Sequence, residues 1–513
     1  MSTAVTGERH TGGGARAPKA TVRQWLGLTI MVVPLFMLAT DVTALYLAMP
    51  AISADLAPTG SQSLWILHIG EFLTAATMIT FGLLTRRIGA RRLLLWAVAA
   101  YGLASLTAAF AADAEMLILA RAVLGVGAAA FTPAGLVMIR TTFQDERQYG
   151  IAFALFMAAF TGGMAAGPPL GGFILEHFWW GAVFLINVPI AAVLLLGGPL
   201  LLPRNHADAT VRIDLASVLL SVAAILALVY GMQEIAASGP DMIAVLSTVL
   251  GTLLTLVFLR RQARTAHPLL DLALFRSRVF SVLLVVLFLL MLGTTFVDML
   301  MAQHLQMVRG LSPWEAGLVL LAPAIAATVG TAAAPLVARG GRATGGLLLG
   351  IAGAAGLVLA LRLPESGVIE LAALLAVTML MVAPYITLLS QRLIGAAPVE
   401  KTGPATALQD VAASLGGAAS IALMGAGALM IHRTVLGSAA PGGLDPEVVD
   451  AAGESFGAAP AAAVGLEASD ADALLHAADA GLTAATQAGY LVFSLVVLLT
   501  AVGIVVFGRR FKG

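Results

Sequence analysis

The chain contains no cysteine, and only 11% of its 513 residues are charged. The first absence excludes disulfides and thiolate metal sites. The second excludes an ordinary soluble domain, which carries about 25% charged residues. There is no GxxxxGK[ST] loop to cradle phosphates, no His/Asp cluster at metal-ligand spacing, and no Ser/His/Asp set. An enzyme, a resident cofactor, a metal site and a nucleic-acid partner are therefore not expected. What is present is apolar: 59% of residues are hydrophobic and the mean hydropathy is +0.96. Apolar runs of about 20 residues, the length that crosses the hydrocarbon of a bilayer, recur from end to end. Lipid is the solvent this composition requires.

Fourteen spans are predicted, at 25–50, 63–84, 93–112, 116–138, 148–172, 180–201, 213–234, 242–260, 280–301, 313–338, 343–361, 369–389, 404–432 and 486–507. They are expected to be helices, because lipid-exposed backbone must hydrogen-bond within its own segment. Arginines fall on alternate loops. Arg86, Arg87, Arg91 and Arg92 follow the second span, Arg140 and Arg147 the fourth, and Arg204 and Arg212 the sixth. Arg260, Arg261, Arg264, Arg276 and Arg278 follow the eighth, Arg339 and Arg342 the tenth, Arg392 and Lys401 the twelfth, and Arg509, Arg510 and Lys512 the last. The opposite loops hold only Arg309, Arg362 and Arg433. The positive-inside rule then puts both termini in the cytoplasm of a multi-pass inner-membrane protein.

The polar, Gly/Ala/Arg-containing stretch 1–24 reads as a flexible cytoplasmic tail and not a signal peptide. Residues 434–484 read as an Ala/Gly-rich outer loop with Asp445, Glu447, Asp450, Glu454, Glu467, Asp470, Asp472 and Asp479 and no Lys or Arg. A solvated spacer or a cation-attracting vestibule would both use it, and Leu474 to Ala485 has the pattern of a short amphipathic helix. Weak internal symmetry is visible. Arg86 to Arg92 after span two is echoed by Arg339-Gly340-Gly341-Arg342 after span ten, and Gly-rich span five by Gly416, Gly417, Gly425 and Gly427 in span thirteen. The expected organisation is a six-helix bundle at 25–202, an inserted helix pair with linkers at 203–278, a second six-helix bundle at 279–508, and a short tail at 509–513. Such repeats characterise transporters whose halves rock about a central site.

Span five carries Gly163-Met164-Ala165-Ala166-Gly167-Pro168-Pro169-Leu170-Gly171-Gly172, or GxxxGPxxGG. Glycines four apart let another backbone approach, and the prolines bend the helix by removing donors. The sequence resembles the antiporter motif of the major facilitator superfamily. Other segments are similar to that superfamily's fourteen-span drug:proton antiporters: Asp41-Val42-Thr43-Ala44-Leu45-Tyr46-Leu47-Ala48-Met49-Pro50, Arg121-Ala122-Val123-Leu124-Gly125-Val126-Gly127, Phe184-Leu185-Ile186-Asn187-Val188-Pro189 and Pro268-Leu269-Leu270-Asp271-Leu272-Ala273-Leu274-Phe275. Leu311-Ser312-Pro313-Trp314-Glu315-Ala316-Gly317 resembles the exporters of quaternary ammonium compounds and methyl viologen. The loop after span two resembles the family's cytoplasmic loop motif through Gly82, Arg87, Gly89 and Arg91. Arg86 stands there in place of the family's acid. His68 stands where close relatives have Asp, and Gln409 and Ser414 where relatives have acids.

Ionisable groups inside spans are expensive, roughly 2.5–3.5 kcal/mol each on insertion scales, and so are candidate functional groups. Asp41 in span one is the candidate proton-coupling acid. His68 and Glu71, three residues apart, share a helix face as a relay, a cation subsite or a structural pair. Asp298 and Asp410 resemble acids of the exporters, and Arg121 the span-four arginine that hydrogen-bonds carbonyls or an acid. His304 reads as interfacial, and Trp65 and Trp314 as interface anchors. Phe36, Tyr46, Met157, Phe160, Met381 and Tyr385 offer an aromatic and Met lining for flat cations, or ordinary packing.

The resemblance implies an all-α major facilitator fold of two six-helix bundles plus the inserted pair. It implies a monomeric, proton-coupled efflux transporter of lipophilic cations or drugs. The alternatives are a proton-coupled exporter of an endogenous metabolite or antibiotic and, from another class, a membrane-embedded enzyme or receptor.

Overall fold

The computed structural model describes residues 19–203, 207–208, 214–238, 241–265, 272–339, 341–397, 402–441 and 443–507. The tail up to residue 18, Arg204, Arg212, the loop signature at 268–271, Lys401, residues 509–513 and the side chain of Asp410 lie outside what is described. The described chain is helical. Eight helices come first: α1 (Val22–Leu56), α2 (Gly60–Ile88), α3 (Ala90–Ala109), α4 (Ala114–Ala128), α5 (Phe131–Thr142), α6 (Glu146–His177), α7 (Ala182–Leu185) and α8 (Asn187–Leu201). The pair α9 (Leu215–Ser238) and α10 (Met242–Gln262) follows. The remainder is α11 (Arg278–Met307), α12 (Pro313–Arg339), α13 (Gly341–Arg362), α14 (Val368–Gly395), α15 (Thr402–Ala419), α16 (Gly425–Ala439), α17 (Pro446–Ala452), α18 (Ala459–Ala462) and α19 (Ala468–Phe507).

Among the described residues, twelve helical spans are long and apolar enough to cross a membrane. There are thirteen if the two parts of α2, bent by 58° beside Ile79, count as one span. The predicted thirteenth span, at 404–432, is split into α15 and α16 by a π-helical turn at Ser420–Met424 and falls outside this count. Large apolar side chains such as Leu196, Leu219, Leu246, Leu361 and Leu499 are exposed on the outer faces. In water that surface would drive aggregation; against lipid tails it is solvated.

Local chemistry starts the helices. Thr21 with Gln24 and Thr59 with Gln62 form capping boxes on α1 and α2, and Asp113, Asp145, Asp241 and Ser277 cap α4, α6, α10 and α11. Gly89 at φ 90° ends α2 and begins α3 without a linker, a left-handed turn suited to glycine. Arg91 then donates to the Pro199 carbonyl at 2.7 Å, tying α3 to the end of α8, while Arg86 and Arg87 are exposed. A Cβ on Gly82 would meet nothing within 4 Å, so no close packing requires glycine there.

Helix α6 lays Gly163, Gly167 and Gly171 against α1. A Cβ on Gly163 would lie 2.5 Å from the Phe36 carbonyl oxygen, one on Gly167 would collide with Thr43 Oγ1, and one on Gly171 would lie 2.7 Å from Ala44 Cβ. The other edge of α6 meets the start of α12, where Gly172 abuts the Pro313 carbonyl and Gly317 abuts that of Pro168. The sequence echo in span thirteen is a structural echo too. A Cβ on Gly416 of α15 would lie 2.5 Å from the Phe288 carbonyl of α11, repeating the distance at Gly163.

Helix α9 packs on α2 and against α16 and the π turn. The pair α9–α10 is stapled at one end. Arg261 donates from Nε and Nη2 to the two Asp214 oxygens at 3.0 and 2.9 Å. Ser217 donates its amide and hydroxyl to the same carboxylate at 3.2 and 2.6 Å.

The outer segment differs from the expected loop. Helix α16 runs to Ala439, and α19 begins at Ala468, so the predicted Leu474–Ala485 helix is the first part of the last span. Leu474, Ala478, Leu436, Ala452 and Ala459 form a small apolar cluster of their own. The sequence hides this because the buried positions are mostly alanines spread over three helices. The reading of His304 is also corrected. It is fully buried, with no hydrogen-bond partner at either ring nitrogen among the described residues, and not interfacial. It sits one turn before the end of α11, where the fold rather than the lipid boundary encloses it.

Two measurements test this packing. Gly167→Val overpacks the α1–α6 contact, costing about 1–3 kcal/mol. It lowers the thermal midpoint of the purified protein, whereas Gly162→Val, which faces open space, does not. The second concerns Asp214, outside the spans, whose carboxyl is held far below its usual range, chiefly by the Arg261 hydrogen bonds. A depressed folded-state value gives stability that is present above the unfolded value of about 3.9 and is lost as pH falls further. Asp214→Asn therefore lowers the midpoint at pH 7, and its difference from wild type shrinks below about pH 4.

Candidate functional site

The site begins with a close crossing of α2 and α4. A Cβ on Gly125 would collide with the Gly70 backbone, so only glycine allows the contact. Thr74 Oγ1 donates across it to the Gly125 carbonyl at 2.8 Å. One turn before Gly125, Arg121 can then reach the α2 backbone. Its Nε donates to the Ile66 carbonyl at 3.0 Å and its Nη2 to that of Leu67 at 3.1 Å. Spacing of arginine and glycine in the span-four motif thus has a geometric reason.

The third prong, Nη1, donates to Asp41 Oδ2 at 2.9 Å. Both side chains are almost wholly buried, at 4% and 2% exposure for Arg121 and Asp41. Tyr101 of α3 donates its hydroxyl to the same oxygen at 3.1 Å. Asn187 of α8 donates to Asp41 Oδ1 at 3.4 Å and to Ser105 Oγ at 3.4 Å. The guanidinium carbon lies 6.0 Å from the centre of the Phe184 ring. A charge this buried persists only when paired and hydrogen-bonded, which is what these groups supply. Sequence reasoning placed Asp41 and Arg121 but missed Tyr101, Ser105 and the contact of Asn187. Asn187 carried a signal, as a polar residue inside a quoted signature, whereas Tyr101 looked like any aromatic of an apolar span.

The other predicted residues lie apart from this pair. His68 and Glu71 share a face of α2, with Nδ1 and Oε2 3.6 Å apart. His68 is 1% exposed and Glu71 29%, and neither His68 nitrogen has a hydrogen-bond partner among the described residues. Asp298 sits in mid-α11 between Val297 and Met299, both buried, while its own side chain is exposed. It lies within electrostatic reach of Tyr46 of α1 and Tyr490 of α19, so it opens on enclosed space between helices and not on lipid. Tyr46 is also within reach of Glu71. No arginine or lysine pairs with Glu71 or Asp298 among the described residues. Asp410 lies on α15, and its side chain is outside the described residues.

Of the proposed lining, Tyr385 is buried, and Met157 and Phe160 are exposed on α6. Trp65 stacks on Tyr230 of α9 with centroids 6.3 Å apart, and Trp314 is 38% exposed.

Apolar helices around a walled-in ion pair, with two accessible acids deep between them, describe a multi-pass membrane transporter of small molecules. The model of the Major Facilitator Superfamily matches residues 32–421. The chain belongs to that superfamily. It is 34% identical to the multidrug efflux pump LfrA of Mycolicibacterium smegmatis, over 99% of this chain and 100% of that one. It is 36% identical to the methyl viologen resistance protein SmvA of Salmonella typhimurium, over 89% and 92%. Among solved structures, a bacterial homologue of the human lysosomal transporter Spinster, inward-facing and unoccupied, aligns at a TM-score of 0.65 and 14% identity, covering 95% of this chain and 98% of that one. That likeness is one of fold.

Removing one member of the buried pair strands the other. Asp41→Ala destabilises the protein by about 3–5 kcal/mol, and Asp41→Ala with Arg121→Leu destabilises it by less than the single change does. Thermal unfolding in detergent reads both; equal or larger loss in the double variant contradicts the pairing.

Proposed function

We propose that the chain is a multidrug exporter of amphipathic, cationic compounds, driven across the cytoplasmic membrane by protons moving the other way. Full-length similarity to LfrA and SmvA supports the substrate class. One observation carries the mechanism: an acid locked to an arginine, with two accessible acids around Tyr46 that have no cationic partner among the described residues. In this reading both termini are cytoplasmic, the working unit is the monomer, and two six-helix bundles rock about the site, with α9–α10 as an inserted pair.

With Asp41 ionised, its charge is cancelled by Arg121, and Glu71 and Asp298 are the carboxyl groups left without a cationic partner among the described residues. A cation is then attracted, and the Tyr46 ring offers its face. Protonating Asp41 releases the positive charge of Arg121 into the same region. At a separation of about 10 Å and an effective dielectric of about 20, one added charge opposes the cation by about 1.7 kcal/mol, somewhat over tenfold in affinity. Proton and cation thus compete without sharing a carboxylate. Hydrogen-bond donors of Arg121 already spent on Ile66 and Leu67 hold it in place meanwhile. His68, with Nδ1 3.6 Å from Glu71 Oε2, is placed to relay a second proton.

The test is pH-driven ethidium efflux from reconstituted liposomes. Asp41→Asn abolishes it, whereas Glu71→Gln and Asp298→Asn weaken dication transport more than monocation transport. Undiminished pH-driven efflux in Asp41→Asn would sink the mechanism. Flux with no preference for cations would favour an exporter of one endogenous metabolite or antibiotic.

A further inference from the structure

The segment Phe184-Leu185-Ile186-Asn187-Val188-Pro189 has no part in the proton exchange described so far, yet it closes around the buried pair from α7 and α8. Phe184 lies against the guanidinium and Asn187 against the carboxylate. We propose that Asn187, together with Tyr101, is a positioning residue that keeps the Asp41 carboxyl hydrogen-bonded in both its ionised and its protonated form, leaving Arg121 as the partner that is given up. The proposal rests on the reading that Asp41 carries the coupled proton.

The chemistry of the partners decides it. Arginine has donors only, so it can serve a carboxylate but cannot accept from a carboxylic acid. When a proton delivered to the site forms an O–H bond at Asp41, that hydrogen needs an acceptor inside a site 4% exposed or less. Tyr101 and Asn187 are the two partners on Asp41 that can donate or accept. The Asn187 amide spans Asp41 Oδ1 and Ser105 Oγ at 3.4 Å each, both long contacts. A half-turn of the amide presents its oxygen to the Asp41 O–H, and the Ser105 hydroxyl turns from acceptor to donor to follow it. Both the Asp41 O–H and the Ser105 O–H then find an acceptor in the Asn187 amide oxygen. Arg121 keeps the Ile66 and Leu67 carbonyls and the Phe184 ring after losing the charge of Asp41.

Other groups that could set the titration are few. The titratable side chains that contact Asp41 are Tyr101 of α3 and Arg121 of α4, and Tyr46 on its own helix is within electrostatic reach of Arg121, Glu71 and Asp298. Helix α8 brings none, so Asn187 acts there through hydrogen bonding alone.

The experiment measures proton release when ethidium binds to the purified protein, as a function of pH. Asn187→Leu keeps the size of the side chain and removes both donor and acceptor; Tyr101→Phe keeps the ring and removes the hydroxyl. Each variant penalises the protonated acid, which has lost one of its two acceptors, more than the carboxylate, which keeps Arg121. The midpoint of proton release therefore moves to lower pH by roughly one unit, and Asn187→Gln, which retains an amide, restores it. Midpoints that stay at the wild-type value in folded Asn187→Leu and Tyr101→Phe overturn the proposal, as does a shift to higher pH, which a pure donor to the carboxylate gives. Should wild type release no proton at any pH, the coupling reading fails, and this inference with it.

Discussion

A guanidinium held where water cannot reach it must find an opposite charge and a full set of acceptors, and this demand organises the first eight helices. Arg121 satisfies it with one carboxylate and two backbone carbonyls. Reaching those carbonyls requires α2 and α4 to touch backbone to backbone, which Gly70 and Gly125 permit. The carboxylate comes from α1, whose position is set by the glycine edge of α6. Tyr101 and Asn187 bring α3 and α8 to the same point. A change in the charge of one carboxyl is therefore felt by five helices at once.

The same packing connects that point to the rest of the molecule. Helix α6 carries glycines on two edges, one facing α1 and the other facing the start of α12. The prolines Pro168 and Pro169 lie between these edges, and the Pro168 carbonyl itself meets Gly317. The GxxxGPxxGG motif is thus a double-sided joint between the helix of Asp41 and the C-terminal group of helices. Asp298 faces the enclosed space from that second group, within reach of Tyr46 on α1. Charge on α1 and packing along α6 are two links of one path.

Much of this was legible in the residues. Apolar length located the helices, because lipid admits little else, and glycine spacing marked span five as a site of close helix approach. Asp41 and Arg121 stood out because charge inside an apolar run is costly. That they pair could not be read, since residues 80 apart meet only through the crossing of their helices. Tyr101 and Ser105 were silent for a related reason: a hydroxyl inside a span is common, and only its partner gives it a role. The outer segment misled, because alanines carry little hydrophobic signal while burying well between helices. His304 misled in the opposite way. Its place near the end of a span suggested the interface, but neighbouring helices cover it completely.

The central claim is that proton movement and substrate movement are two faces of one charge balance at Asp41 and Arg121. The most direct measurement uses liposomes containing the wild-type protein and a pH-sensitive dye, with an ethidium gradient and no imposed pH difference. The account predicts that ethidium crossing the membrane drives protons in the opposite direction, so that the lumenal pH changes in proportion to the flux. Ethidium crossing through the protein with no change in lumenal pH would contradict it.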